Sequence, residues 1–446
     1  MRRNNLAAVA AVSLTALALL TGCAPGGSDA PAATGGKLTD DQVAALGDVK
    51  LTVSAYSVGG QKEAMDRAAE AFEKKHTNVD VEVSYKAFND YGRTIDLTMQ
   101  SNDAPDVAQA NAVMARRLVP GKLVLPLDSY WDAYGWDDRF PGAVKGTLSL
   151  SDDGKFFGEG SQWGAAPGGN IVGVFYNKSI LGDLGLEFPS NFDSFVASLE
   201  KAKAAGVQPI VLGNLEQWPS NHILSPILGY TAGASEVQSW INGGDSSFTD
   251  SGFVEGLGVF QEWMDKGYIT PDANGIKNDD ANAAYIAGDG LYQVTGSWNT
   301  TPFADGMGDN VGFMVMPAPK GVDPATTGAF ETPLTISSKS KNADLAALFI
   351  DFVTGPDMTA SNMQGGFLPF SPVDPAEGDS ALAKDVLQVW NEMNSTDGLV
   401  SYLDSATPSM GDAMFPALQS LLGGQMTSEQ VATTIQDNWD KYYGSK

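Results

Sequence analysis

A thiol, an imidazole or a carboxylate does chemistry only when its neighbours activate it, and few such groups stand together in this chain. Cys23 is the only cysteine and His222 is one of two histidines. No second His, Cys or acid sits at metal-ligand spacing around His222, which reads as a structural or hydrogen-bonding residue. Asp152-Asp153-Gly154 has the opening of a calcium loop but not the alternating acids and distal glutamate that complete one, so it reads as a turn. The sequence contains no nucleophile elbow, Walker loop, zinc motif or histidine-centred triad. The abundant acids leave open a carboxylate pair of the glycosidase kind. Otherwise the sequence implies no catalytic residue, metal or cofactor, which leaves aromatic rings and side-chain amides as the groups to place.

The Cys23 thiol has another chemistry open to it. Arg2 and Arg3 precede an uncharged apolar run from Leu6 to Leu20, shorter than the about 20 residues of a membrane span, so residues 1–22 read as a secretory signal. Leu20-Thr21-Gly22-Cys23 resembles a bacterial lipobox, in which cleavage before the cysteine lets its thiol take a diacylglyceryl group. A lone exported thiol otherwise invites intermolecular pairing. The mature chain then contains no cysteine, and core packing must supply its stability. From Ala24-Pro25-Gly26-Gly27-Ser28 through Pro31, Thr34, Gly35 and Gly36 there is almost no large apolar side chain. Residues 23–48 therefore read as a flexible tether, with structure beginning near Val49.

The balance of 54 Asp and Glu against 27 Lys and Arg gives a net charge of −27. Nucleic acid and anionic membrane surfaces are poor partners for such a chain. The acids are dispersed, as on a solvated surface; a cationic ligand such as a polyamine is the alternative.

Leu51, Val53 and Ala55 alternate with polar residues, Met65, Ala68, Ala69 and Phe72 share one face of a helix over Gln61 to Lys75, and Val79, Val81 and Val83 alternate again. This succession is a βαβ unit of a parallel sheet with a right-handed crossover. A helix from Asp90 to Gln100, a turn at Asp103 to Pro105 and a strand from Asp106 to Gln109 repeat it. Ligands of open α/β sheets lie beyond the carboxyl ends of the strands. That directs attention to the loops Tyr56 to Gln61, Phe88 to Tyr91 and Gln109 to Asn111. Tyr56, Tyr91 and Asn111 can stack on a sugar ring or bond its hydroxyls without requiring a charged ligand.

Further landmarks are Pro105-Asp106-Val107, Ala166-Pro167 followed by Val174-Phe175-Tyr176-Asn177-Lys178, Gly288 to Gly290 with Gly296-Ser297-Trp298, Ser337 to Lys341 before an alanine-rich helix, and Gly365-Gly366-Phe367-Leu368-Pro369. In their order and spacing they resemble the extracellular solute-binding proteins of carbohydrate ABC importers, the maltose-binding-like group, from about Val49 to the C-terminus. The resemblance implies an α/β, two-lobe periplasmic-binding-protein-like fold, with a ligand cleft between discontinuous lobes that close by hinge bending. It implies a first lobe at 49–162 resuming at 292–338 and a second at 163–291 resuming at 339–446. In the cleft it places Asn170, Trp218, Trp298 with Asn299, Glu331 and Phe367, with Asn111 and Trp298 on the first lobe and Asn170, Trp218 and Phe367 on the second. Trp131, Trp136, Trp240, Trp263, Trp390 and Trp439 remain structural. The partners implied are a carbohydrate and the permease subunits of an ABC transporter; the chain would be a monomer that binds without turnover.

Overall fold

A computed structural model describes residues 34–140, 142–244, 247–249, 251–329, 332–371 and 373–444. The signal segment, Cys23 and Glu331 lie outside the described residues. Ordered structure starts before Val49. Thr39 caps α1 (Asp40–Ala44), its hydroxyl accepting from the Gln42 amide while the Gln42 side chain accepts from the Thr39 amide, which satisfies two donors that a helix start leaves open. Val43 is fully buried, and Thr34 donates through its amide and hydroxyl to Asp344. Residues 34–48, expected as tether, are thus docked on the folded body. A single inward valine is too little for periodicity to register.

The expected βαβ units follow as β1 (Val49–Ser57), α2 (Gln61–Lys75), β2 (Val79–Ala87), α3 (Phe88–Gln100), β3 (Val107–Gln109) and α4 (Ala112–Leu118). β1 runs parallel to β2, with Val53 opposite Val83, and to β3, with Val53 opposite Val107. α2 turns Met65, Ala68, Ala69 and Phe72 onto this sheet, the stripe its 3.6-residue period dictates. The chain then makes a short hairpin of β4 (Ser149–Leu150) and β5 (Ser161–Gln162) and enters a second sheet. Its strands are β6 (Asn170–Asn177), β7 (Gln208–Val211), β8 (Gly290–Gly296), β9 (Val311–Met314) and β10 (Thr326–Ala329), completed after β11 (Leu334–Ile336) by β12 (Leu399–Val400).

The first sheet has the order β11-β3-β1-β2, and the second β12-β10-β6-β8-β7 with β9 also on β6. β6 is central and buried on both faces: Val172 and Val174 enter one core, Ile171 and Phe175 another, as the two-residue period of a strand requires. The six tryptophans expected to be structural are all buried in these cores.

The lobe boundaries differ from expectation. Within 292–338, expected in the first lobe, β8, β9 and β10 pair in the second sheet and only β11 returns to the first. The helix Ala343–Val353, expected in the second lobe, packs its Leu345, Phe349 and Ile350 into the first core. β8 is buried along its whole length and the helix over most of its surface, so their sequences say that they are central without saying in which sheet or core. Trp298, which follows β8, accordingly belongs to the second lobe's core.

The Gly365-Gly366 pair permits a close approach, but of chain to chain. Gly366 has φ +82°, and a β-carbon there would lie 2.5 Å from both the Ser297 carbonyl oxygen and the Trp298 Cα. Gly366→Ala should therefore destabilise the fold by about 1–3 kcal/mol, from left-handed backbone strain and the clash together. Urea unfolding midpoints of the two proteins measure this, and an unchanged midpoint would contradict it.

Candidate ligand site

Loops at the ends of both sheets meet around one cavity. Tyr56, Val58 and Gln61 come from the turn between β1 and α2, and Phe88 from the start of α3. Facing them are Asn170 at the start of β6, Trp218, Asn221 and His222 at the start of the helix Pro219–Thr231, and Trp298 just after β8. Thr332, between β10 and β11, and Tyr402, Asp404 and Phe415 complete the wall. The walls enclose about 560 Å³, part of it open to solvent.

The rings make a continuous aromatic lining. Tyr56 meets Phe88 edge-on at 5.2 Å between centroids, Phe88 lies 6.5 Å from Trp218, and His222 sits 5.0 Å from Trp218, 5.3 Å from Trp298 and 6.3 Å from Tyr402. The Tyr402 hydroxyl donates to Asn170 Oδ1 at 2.9 Å, which orients that amide. Trp298 is fixed through its backbone as well, its carbonyl accepting from the Gly60 amide at 3.2 Å.

Among these rings stand buried polar atoms with no protein partner: Gln61 Oε1, Asn221 Oδ1, His222 Nδ1, Trp298 Nε1 and Thr332 Oγ1. Buried polar atoms are ordinarily paired, and leaving one unpaired costs about 1–3 kcal/mol. Five such atoms lie on the residues of this one cavity, and eleven others among the described residues lie elsewhere. Among the described residues no Lys or Arg lines the cavity, and Asp404 is its one carboxylate. Burial pushes the Asp404 pKa up to about 6 and the His222 pKa down to about 3. The imidazole is therefore neutral at physiological pH, and Asp404 is the one charged group lining the site among the described residues. Among the described residues no cluster of His, Cys, Asp and Glu could hold a metal ion.

The model of the family described as bacterial extracellular solute-binding protein matches residues 58–360. The chain belongs to that family. An uncharacterized ABC transporter extracellular-binding protein of Pyrococcus horikoshii is 24% identical over 84% of this chain and 83% of its own. A probable sugar-binding periplasmic protein of Mesorhizobium japonicum is 26% identical over 68% of this chain and 71% of its own. Among solved structures, a chitin oligosaccharide binding protein superposes with a TM-score of 0.76, at 21% identity, over 89% of this chain and all of the other. The fold is the two-lobe α/β fold of these solute-binding proteins, and no helix among the described residues is long and apolar enough to cross a membrane.

Of the residues expected at the site of this solute-binding protein, the structure brings together Tyr56, Asn170, Trp218 and Trp298. Of the others, Tyr91, Asn111, Asn299 and Phe367 do not line the cavity. Tyr91 is buried, its hydroxyl donating to the Ser54 and Gln109 carbonyls at 2.9 and 2.7 Å, where it ties β1 to β3. Asn111 caps α4, its Oδ1 accepting from the Met114 amide at 3.0 Å, and lines an adjoining polar part of the cleft with Asn89, Arg117 and Glu216. The Asn299 amide donates to Thr295 Oγ1, and Phe367 is buried beside Gly168. Glu331 is outside the described residues, although its neighbour Thr332 lines the cavity.

Sequence reasoning missed Asn221, His222, Tyr402, Asp404 and Phe415. A signal existed for two of them, since Asn221 and His222 stand three and four residues after Trp218 and hence on one helical face with it. No comparable pattern marks the others.

Asp404 gives the site a pH signature. The folded carboxyl keeps its proton up to about pH 6, whereas an unfolded Asp sheds it near pH 4. Between the two the native state binds the extra proton, so this group's contribution to stability declines as pH rises through the window. His222 acts oppositely: its folded pKa is depressed, so acidification below about 6.5 protonates only the unfolded chain and costs stability. Thermal melts of wild type and Asp404→Asn from pH 4 to 7 isolate the first effect. The variant should gain on the wild type as pH rises, and parallel curves would show that Asp404 does not titrate in this window.

Proposed function

We propose that this chain is an extracytoplasmic substrate-binding lipoprotein of an ABC importer, which captures a sugar or oligosaccharide by lobe closure and delivers it to a membrane permease. The observation that carries this reading is the set of five buried, unpartnered polar atoms on the residues of an aromatic cavity with a single carboxylate among its described lining residues. A carbohydrate presents apolar C–H faces for rings such as Trp218 and Trp298 to cover. Its hydroxyls each donate and accept, so they answer both the Trp298 indole N–H and the Gln61 and Asn221 carbonyl oxygens. The sugar-binding and chitin oligosaccharide binding descriptions of the relatives point the same way.

A polyamine fits less well, because its several cationic centres would meet one carboxylate of weakened acidity. A glycosidase fits less well again, because hydrolysis needs two carboxyl groups flanking the bond and Asp404 alone lines the cavity among the described residues. Binding without turnover is the function proposed.

Walls drawn from both lobes favour closure. An open form offers each lobe's groups separately, so a sugar touching both sets binds the closed form more tightly and shifts the population toward it. Small-angle scattering at saturation should show a smaller radius of gyration; an unchanged one would argue against closure.

A thermal-shift screen over galactose, maltose, raffinose and chitin oligosaccharides, with polyamines included, tests the ligand class. Trp218 is only half-buried and lies at a helix start. Trp218→Ala should weaken sugar binding by about 2 kcal/mol with little loss of stability, whereas Trp298→Ala should lose both, since Trp298 also packs in the core. Unaltered affinity in Trp218→Ala would remove that ring from the site. Anchoring is assigned to Cys23: two acyl chains are needed for a durable hold on the membrane, and Cys23→Ser should move the protein from the membrane fraction to the soluble one without altering sugar affinity. Retention of the variant on the membrane would refute the anchor.

A further inference from the structure

Arg116 lies outside the cavity, and among the described residues its buried guanidinium forms no ion pair with a carboxylate. It is 2% exposed and surrounded by backbone carbonyls: Nε donates to Ser405 at 2.7 Å, one terminal nitrogen to Gly154 and Lys155 at 2.8 Å each, and the other to Ile241 at 3.0 Å. The Phe157 ring covers it with its centroid 4.5 Å from the guanidinium carbon, a cation–π contact. Arginine is suited to this place because it presents its donors in a rigid planar fork, whereas lysine offers a single point charge.

The acceptors belong to different lobes. α4 carries Arg116 and packs Met114, Ala115 and Leu118 into the first core, while Ile241 and the neighbours of Ser405, Leu403 and Ala406, are in the second. Ser405 ends the turn Leu403–Ser405, which bears Asp404 and follows Tyr402, two residues of the cavity wall. The Tyr443 hydroxyl reinforces the junction, donating to the Ala406 carbonyl at 2.9 Å and approaching those of Ile241 and Lys155 at 3.3 and 3.4 Å.

We propose that Arg116 is an interlobe clasp that holds the cavity-lining turn 402–404 against the first lobe, and thereby sets ligand affinity without touching the ligand. Its bonds to Ser405 and Ile241 require the approach of the lobes seen here. Removing them disfavours that arrangement relative to any in which the lobes stand apart. A ligand that needs both walls then spends part of its binding energy restoring the arrangement. Arg116 is a positioning residue in this role.

Arg116→Gln and Arg116→Lys test the clasp in the full-length protein. Hydrogen exchange of the ligand-free protein reads the turn directly, through the Ser405 and Ala406 amides bonded to the Tyr402 and Leu403 carbonyls at 2.9 and 3.0 Å. Exchange there should rise at least tenfold in both variants while β6 keeps its protection. Titration with galactose, maltose, raffinose and chitin disaccharide should show at least tenfold weaker binding of whichever sugars the wild type takes, expressed in faster dissociation. Wild-type exchange in the turn overturns the proposal. So does faster exchange with unchanged sugar affinity, which would reduce Arg116 to a purely structural residue. If none of these sugars binds the wild type, the sugar reading fails and exchange alone decides the clasp. Should both variants fail to fold, Tyr443→Phe keeps Arg116 and removes the reinforcing hydroxyl; it should show the same changes at smaller size, and none at all would overturn the proposal.

Discussion

Two pairs of reciprocal backbone hydrogen bonds hold together the three segments that run between the sheets: Ala165 with Leu334, at 3.1 and 2.8 Å, and Gly169 with Leu368, at 2.7 Å each way. Three parts of the site lie next to this stitching. Asn170 follows Gly169 directly, Thr332 lies two residues before Leu334, and Gly366, two before Leu368, backs the chain at Ser297 and Trp298. Because these are main-chain bonds between short segments, the seam can flex where the cores on either side cannot. Cores are close-packed and resist deformation. In the closure proposed above, a modest change of backbone angle at the seam would alter the distance between Phe88 and Trp218 while leaving each lobe intact.

The parts of the fold legible in the sequence are those with a clean period. Helix α2 begins and ends as the Met65, Ala68, Ala69, Phe72 stripe indicates, and the alternating valines locate β1 and β2. The lobe to which β8 and the helix Ala343–Val353 belong was not legible, because segments buried over most of their surface carry little directional signal. Tyr402, Asp404 and Phe415 were invisible for a related reason. They reach the cavity only because β12 pairs with β10 and the chain then turns under the seam, a tertiary fact without a local pattern. Tyr91 and Asn111 show the converse. Both stand after strands, but the Tyr91 hydroxyl is spent on the backbone, and Asn111 commits its Oδ1 to the Met114 amide while it lines the adjoining part of the cleft.

The charge distribution separates the work of surface and site. A net charge of −27 keeps such a chain soluble through self-repulsion, and the ion pairs described are mostly exposed, such as Lys50 with Glu82 and Lys266 with Glu262. Pairs of that kind contribute little to stability. The two deeply buried interlobe features, the aromatic cavity and the Arg116 cluster, avoid ion pairs and rely on neutral acceptors. Neutral acceptors make weaker bonds than carboxylates do, so an interface built from them can part without stranding an unpaired anion in the interior. That property suits lobes that must both close and reopen.

The unpartnered atoms of the cavity bear on selectivity as well as affinity. Local consistency is what specifies a fold, and functional sites are among the places that breach it. Trp298 is deeply buried yet its indole N–H has no protein acceptor, and His222 is driven neutral yet keeps a free ring nitrogen. Each breach costs the ligand-free protein stability and makes the site discriminating. A solute that supplies the missing hydrogen bonds recovers that cost, whereas an apolar molecule of the same shape leaves the polar atoms buried and unpaired and is rejected far more strongly than shape alone would achieve. The aromatic rings set what shape can enter, and the unpaired atoms among them favour the hydroxyl-rich solute proposed above.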